Sequence, residues 1–114
     1  MNIRSTECWG TDPQARALRV EISAQRSLVL PLDQFVYSEL RVESSEHVLN
    51  FVFATHEITL RGTGFRRLES AIHRMELSHI CESPSGHHLG ASNGQCCILK
   101  IVVEEIDARE QRSN

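Results

Sequence analysis

Residues 48–80 read as strand, tight turn, strand, helix, strand, with hardly a residue out of pattern. In 48–54, Leu49, Phe51 and Phe53 share one face, while Val48, Val52 and Ala54 share the other with Asn50. Two largely apolar faces predict a central strand covered on both sides. Thr55 and His56 turn the chain into 57–61, where Ile58 and Leu60 alternate with Glu57, Thr59 and Arg61, the period of a half-buried strand. Gly62-Thr63-Gly64 breaks the alternation and offers Thr63 as a helix N-cap. Phe65, Leu68, Ile72 and Met75 then fall three, four and three residues apart, one apolar stripe on a helix over about 65–75. Residues 77–81 resume as a strand. A chain built on this block must fold as a β-rich domain with one helix packed on a sheet.

The flanking segments extend the sheet. Leu18, Val20 and Ile22 alternate with Arg19, Glu21 and Ser23, and a turn at Gln25-Arg26 leads into the apolar run 28–30. Pro31 stops that strand because it has no N–H for the ladder. Residues 32–35 have the look of one helical turn. Val36, Ser38, Leu40 and Val42 then alternate with Tyr37, Glu39, Arg41 and Glu43, and 44–47 form a polar connection. Residues 83–94, rich in Ser and Gly, are the longest irregular stretch, and 96–106 form a long apolar final strand. The expected fold is α+β: a mainly antiparallel, twisted sheet of six or seven strands with one packed helix. It occupies 15–106, between an irregular leader (1–14) anchored by Trp9 and a disordered charged tail (107–114). One helix is too little to cover the second sheet face, so either barrel-like closure or a homo-oligomer, with a dimer favoured, is expected.

Composition limits the partners. The 114 residues are 40% hydrophobic and 24% charged, enough for one apolar core. A net charge of −3 does not point to nucleic acid or an anionic membrane. Nucleic acid is further disfavoured by an aromatic content of 5%, since readers of single strands expose stacking platforms. No apolar run approaches the roughly 20 residues needed to span a bilayer. The leader has no apolar core of a secretory signal. Cys8, Cys81, Cys96 and Cys97 include an adjacent pair, poor geometry for a disulfide framework. Free thiols in a cytoplasmic setting are expected.

Three constellations carry the chemistry on offer. Arg61, Arg66, Arg67 and Arg74 face only Glu69 within 61–75, a local balance of +3. With the Gly-Thr-Gly loop, this makes Thr63, Arg66, Arg67 and Arg74 candidates to hold an anionic ligand or an acidic protein partner. The alternative is an ordinary solvated helix face, with Glu69 and His73 paired one turn apart. His79, Cys81, His87 and His88 offer zinc-type donors, but no pair has the two-residue cysteine spacing of a zinc ribbon. Cys is as readily a small buried hydrophobe. A nucleophile built on Cys81 and His79 lacks a residue to orient the base.

No phosphate loop, nucleophile elbow or dinucleotide fingerprint is present, and no cofactor is implied. The sequence therefore reads as a non-catalytic binding or scaffolding module acting as a homo-oligomer. A thiol or metal site and an anion site at the helix start are its alternatives.

Overall fold

Alternation of apolar and polar side chains builds most of the molecule, and one short amphipathic helix completes it. The computed structural model describes residues 8–83 and 96–106. In chain order they form β1 (Trp9–Thr11), β2 (Ala17–Ser23), β3 (Arg26–Pro31), a 3-10 turn (Leu32–Gln34), β4 (Phe35–Glu43), β5 (Glu46–Phe53), β6 (His56–Thr63), α1 (Arg66–His73), β7 (Leu77–Cys81) and β8 (Cys97–Glu105). The fold is α+β and sheet-rich. All pairings are antiparallel except β2 with β7.

The strands do not form one sheet of six or seven. They divide between two four-stranded sheets, with orders β1-β7-β2-β3 and β4-β5-β6-β8. No pairing among the described residues closes either sheet into a barrel. Two features separate the sheets. The Pro31 stop and the 3-10 turn carry the chain out of the first sheet after β3, and α1 returns it after β6. Strand β7 then enters beside β2, with Val20 opposite Ile80. Within the segment expected to be an irregular leader, β1 pairs with β7, placing Trp9 opposite Ile80. The expected loop lies largely, and the charged tail wholly, outside the described residues.

The core lies between the sheets and the helix. Leu18, Val20 and Leu30 come from the first sheet; Leu49, Phe51, Phe53, Ile58, Leu60, Ile98 and Ile101 come from the second. Phe65, Leu68, Ala71 and Ile72 close it from the helix and its entry. No polar or charged side chain among the described residues is buried, so hydrophobic burial supplies its cohesion. Strand β5 is central in its sheet as expected, but only its Leu49-Phe51-Phe53 face meets this core. On the other face Val48 is 1% exposed although it is not part of the core cluster among the described residues. Its register neighbours are Arg41 and Arg61, whose aliphatic stems can cover it. Beside it, Asn50 Nδ2 donates to Thr59 Oγ1 at 2.9 Å.

The helix is held at both ends by contacts its own sequence does not announce. Thr63 is not its N-cap: it is still in β6, paired with Cys97, and Phe65 occupies the cap position without a side-chain cap of its own. His47 of β5 substitutes, with Nδ1 accepting the Phe65 N–H at 3.1 Å. At the far end Met75 adopts φ 60°. The Met75 N–H donates to Ile72 O at 2.9 Å and the Glu76 N–H to Ala71 O at 3.0 Å, a Schellman closure. Met75 thus leaves the apolar stripe and is partly exposed.

Candidate functional site

A β-strand at a sheet edge presents unpaired N–H and C=O groups that another chain can use. The two sheets have four such edges, and three of them are blunted. Strand β1 has three residues, and β3 ends at Pro31. Strand β8 is partly covered by its own chain. The Ser83 N–H donates to Ile98 O at 2.7 Å, the Ile98 N–H to Ser83 Oγ at 3.0 Å and the Ile101 N–H to Glu82 Oε2 at 3.1 Å. Strand β4 is different. It runs nine residues, and its outer edge receives no backbone hydrogen bond from any described residue beyond β5.

The side chains of β4 sort by its register with β5. Ser38, Leu40 and Val42 lie opposite Phe51, Leu49 and His47, on the core side. Tyr37, Glu39 and Arg41 lie opposite Val52, Asn50 and Val48, on the outer side. An irregularity between Phe35 and Tyr37 turns Val36 outward. Val36 is 60%, Tyr37 54% and Val42 49% exposed, three large apolar side chains on one free strand. Val42 is exposed although it is on the core side.

Alongside this edge runs a groove of about 640 Å³, bounded by Phe35, Val36, Tyr37 and Ser38 on one wall and Glu69, Ser70, His73 and Arg74 of the helical segment on the other. Its helix wall is polar and its strand wall offers backbone. Arg74 Nε lies 3.3 Å from Glu76 Oε1, so its charge is partly matched. A groove between a strand edge and a helix suits an added β-strand, main-chain bonds supplying affinity and alternate side chains the selectivity.

The residues singled out from sequence do not converge. Thr63 is in β6, and His47 takes the N–H of Phe65, the residue at the cap position before α1. Arg66 and Arg67 are exposed on the first turn of α1 and have no ion-pair partner among the described residues. Arg74 is at the opposite end of the helix, against Glu76. Glu69 and His73 do not pair with one another; both border the groove. His79 and Cys81 share the outer face of β7, opposite Arg19 and Glu21 of β2. The His79 ring lies over Gly10, where any Cβ would meet it. No three His, Cys, Asp or Glu groups among the described residues are placed to hold a metal ion. His87 and His88 lie outside the described residues.

Two groupings have no sequence signal. One is the groove, because which strand becomes an edge depends on pairing between distant segments. The other is a thiol pair, Cys8 with Cys96, 88 positions apart and 3.9 Å between sulfurs. All four cysteines are unbridged. No described helix is long and apolar enough to cross a membrane. No family model, curated protein or solved structure matches the chain.

Proposed function

We propose that this chain is a non-catalytic assembly module that works as a homodimer through β4. The observation that carries the reading is the nine-residue edge of β4, unpaired among the described residues, beside the groove. The sequence of that edge also fits a second copy of itself. In an antiparallel β4–β4 pairing centred on Leu40, Glu39 faces Arg41 of the second copy, and the relation repeats through the two-fold axis. The same register sets Ser38 opposite Val42 of the second copy. That brings an apolar side chain, exposed in the single chain, to the groove beside Ser70 and His73. Opposite charges directly across a strand pair contribute favourably and like charges the reverse. The paired sheets become one of eight strands, and the free edge disappears.

Light scattering on the purified chain tests this. A dimer is expected at roughly 100 µM, falling apart on dilution through the micromolar range typical of small interfaces. Arg41→Glu sets acidic side chains opposite one another and gives a monomer. Adding Glu39→Arg to Arg41→Glu restores the attraction and the dimer. A monomeric wild type at that concentration, or a double variant no better than the single one, sinks the proposal. Both variants give up the Arg41–Glu43 ion pair, which is exposed and 3.6 Å long; such pairs contribute little to the fold.

A second reading has its own support in the exposed Arg66 and Arg67, unpaired among the described residues. They face solvent from the first helical turn and suit an acidic protein segment. Fluorescence anisotropy with a labelled oligoglutamate peptide measures this. Binding that weakens at least tenfold in Arg66→Glu/Arg67→Glu, and weakens with salt, supports it. Equal binding by both proteins rejects it.

A further inference from the structure

We propose that Cys8 and Cys96 form a peroxide-sensitive thiol pair whose oxidation to a disulfide cross-links the two sheets. The placement of the two residues is the basis. Cys8 immediately precedes β1, and its carbonyl accepts the Cys81 N–H at 2.8 Å, which ties it to β7 of the first sheet. Cys96 immediately precedes β8 of the second sheet. Their sulfurs are 3.9 Å apart, and Cys8 Sγ is also 3.9 Å from Cys96 O. A disulfide needs sulfurs about 2.05 Å apart, so side-chain rotation with a small backbone adjustment brings them to bonding distance.

Electrostatics divides the roles. The Cys8 thiol is held down to about 6 because Cys96 donates a hydrogen bond to it, against the opposing effect of burial, with Ser83 and the Ile98 backbone adding to the pull. Cys96 is pushed well above the ordinary thiol range by the same hydrogen bond and then by burial, with Arg67 opposing weakly. Near neutral pH, Cys8 is the thiolate and Cys96 keeps its proton, the division between an attacking and a resolving cysteine. Cys8 is 2% exposed and Cys96 half-buried, so the matching oxidant is a small one such as hydrogen peroxide.

The chemistry balances in two steps. The Cys8 thiolate attacks one oxygen of hydrogen peroxide; an S–O bond forms, the O–O bond breaks, and hydroxide leaves to be protonated to water. Cys8 has given up two electrons and is a sulfenic acid. Cys96 sulfur then attacks Cys8 sulfur. The S–S bond forms, the S–O bond breaks, and departing hydroxide combines with the Cys96 proton as a second water. The net change is two thiols and one peroxide to one disulfide and two waters.

The experiment treats the full-length chain with one to a few equivalents of hydrogen peroxide at neutral pH, blocks remaining thiols by alkylation, and maps peptides by mass spectrometry. The four free thiols should fall to two, with a single intrachain Cys8–Cys96 link reversed by reductant. The closed loop spans most of the chain, so the oxidised form should melt roughly 10 °C higher. Cys81→Ser and Cys97→Ser should keep the link, and Cys8→Ser and Cys96→Ser should each lose it. Peptide mapping of the wild type needs no variant to fold. Four surviving thiols, a Cys96–Cys97 link, links between chains, or oxidation to sulfinic acids without a disulfide would each overturn the proposal.

Discussion

His47, Gly62 and Cys8 show how single side chains decide matters that pattern alone leaves open. His47 is a polar residue in a hairpin, yet its Nδ1 accepts the N–H of Phe65 at the cap position of the helix. Gly62 is needed because a Cβ there would run into the Cys97 carbonyl of β8 and press on the Phe65 ring, and a backbone carbonyl in a strand ladder cannot swing aside. Cys8 makes stability depend on pH. Its folded thiol titrates at about 6 rather than 9.0, so the folded chain releases a proton before the unfolded chain does. The resulting stabilisation is absent below pH 6, grows from 6 to 9 and is complete above 9. Cys96 and Cys81 act in the opposite sense. Burial raises Cys81, with negative charge on Cys8 and Glu21 adding to it, and Cys96 is raised too. Above about 9 the unfolded chain releases protons that these two folded thiols retain, and stability falls. Urea unfolding of the reduced protein, compared with Cys8→Ala at each pH, should show an extra rise between about 6 and 9 in the wild type alone. Parallel curves would refute it. None of this is legible in the sequence, because Cys8, Ser83 and Cys96 meet only in space.

At the scale of elements, strong periodicity is legible and boundaries are less so. The helix is visible in the spacing of Phe65, Leu68 and Ile72, all buried in the core. Its start differs from expectation because Thr63, a good N-cap by type, is claimed by the β6–β8 ladder, and its cap comes from another strand. Its end differs because Met75 closes it in a conformation that glycine adopts more easily. Met75→Gly removes that strain and should raise stability by up to about 1 kcal/mol. The comparison to make is the urea midpoint of the two proteins; an unchanged or lower midpoint contradicts it. Strand β1 leaves no mark in the sequence because three residues give no periodicity to detect. The strand expected over 77–81, by contrast, matches β7 in full. The β4–β5 hairpin is present as expected, but its connection is 44–45 rather than 44–47, because Glu46 and His47 pair with Glu43 and Val42; Ser44 at φ 53° supports this tighter turn.

For the whole molecule, the consequential fact is that the eight described strands make two sheets rather than one. Dividing the strands creates four sheet ends, and three of them are short, ended by proline or partly covered. The fourth, β4, is the proposed dimer edge, so the melting temperature should rise with protein concentration if folded dimer is favoured over monomer. Arg41→Glu should abolish that dependence and melt at one temperature throughout, somewhat below the dilute wild type because its shorter stem covers Val48 less well, as differential scanning fluorimetry across a wide concentration range would show. The sequence by itself determined the inward residues of β2, β5 and β6, the apolar stripe of the helix up to Ile72 and the α+β class. Those follow from side-chain periods of about 2 and 3.6 that neighbouring residues carry among themselves. Tertiary structure alone decided that β7 joins β2, that β4 is left at an edge beside a groove, and that Cys8 reaches Cys96. Each of these depends on which distant segments bury their apolar faces together, a choice set by packing that no local period encodes.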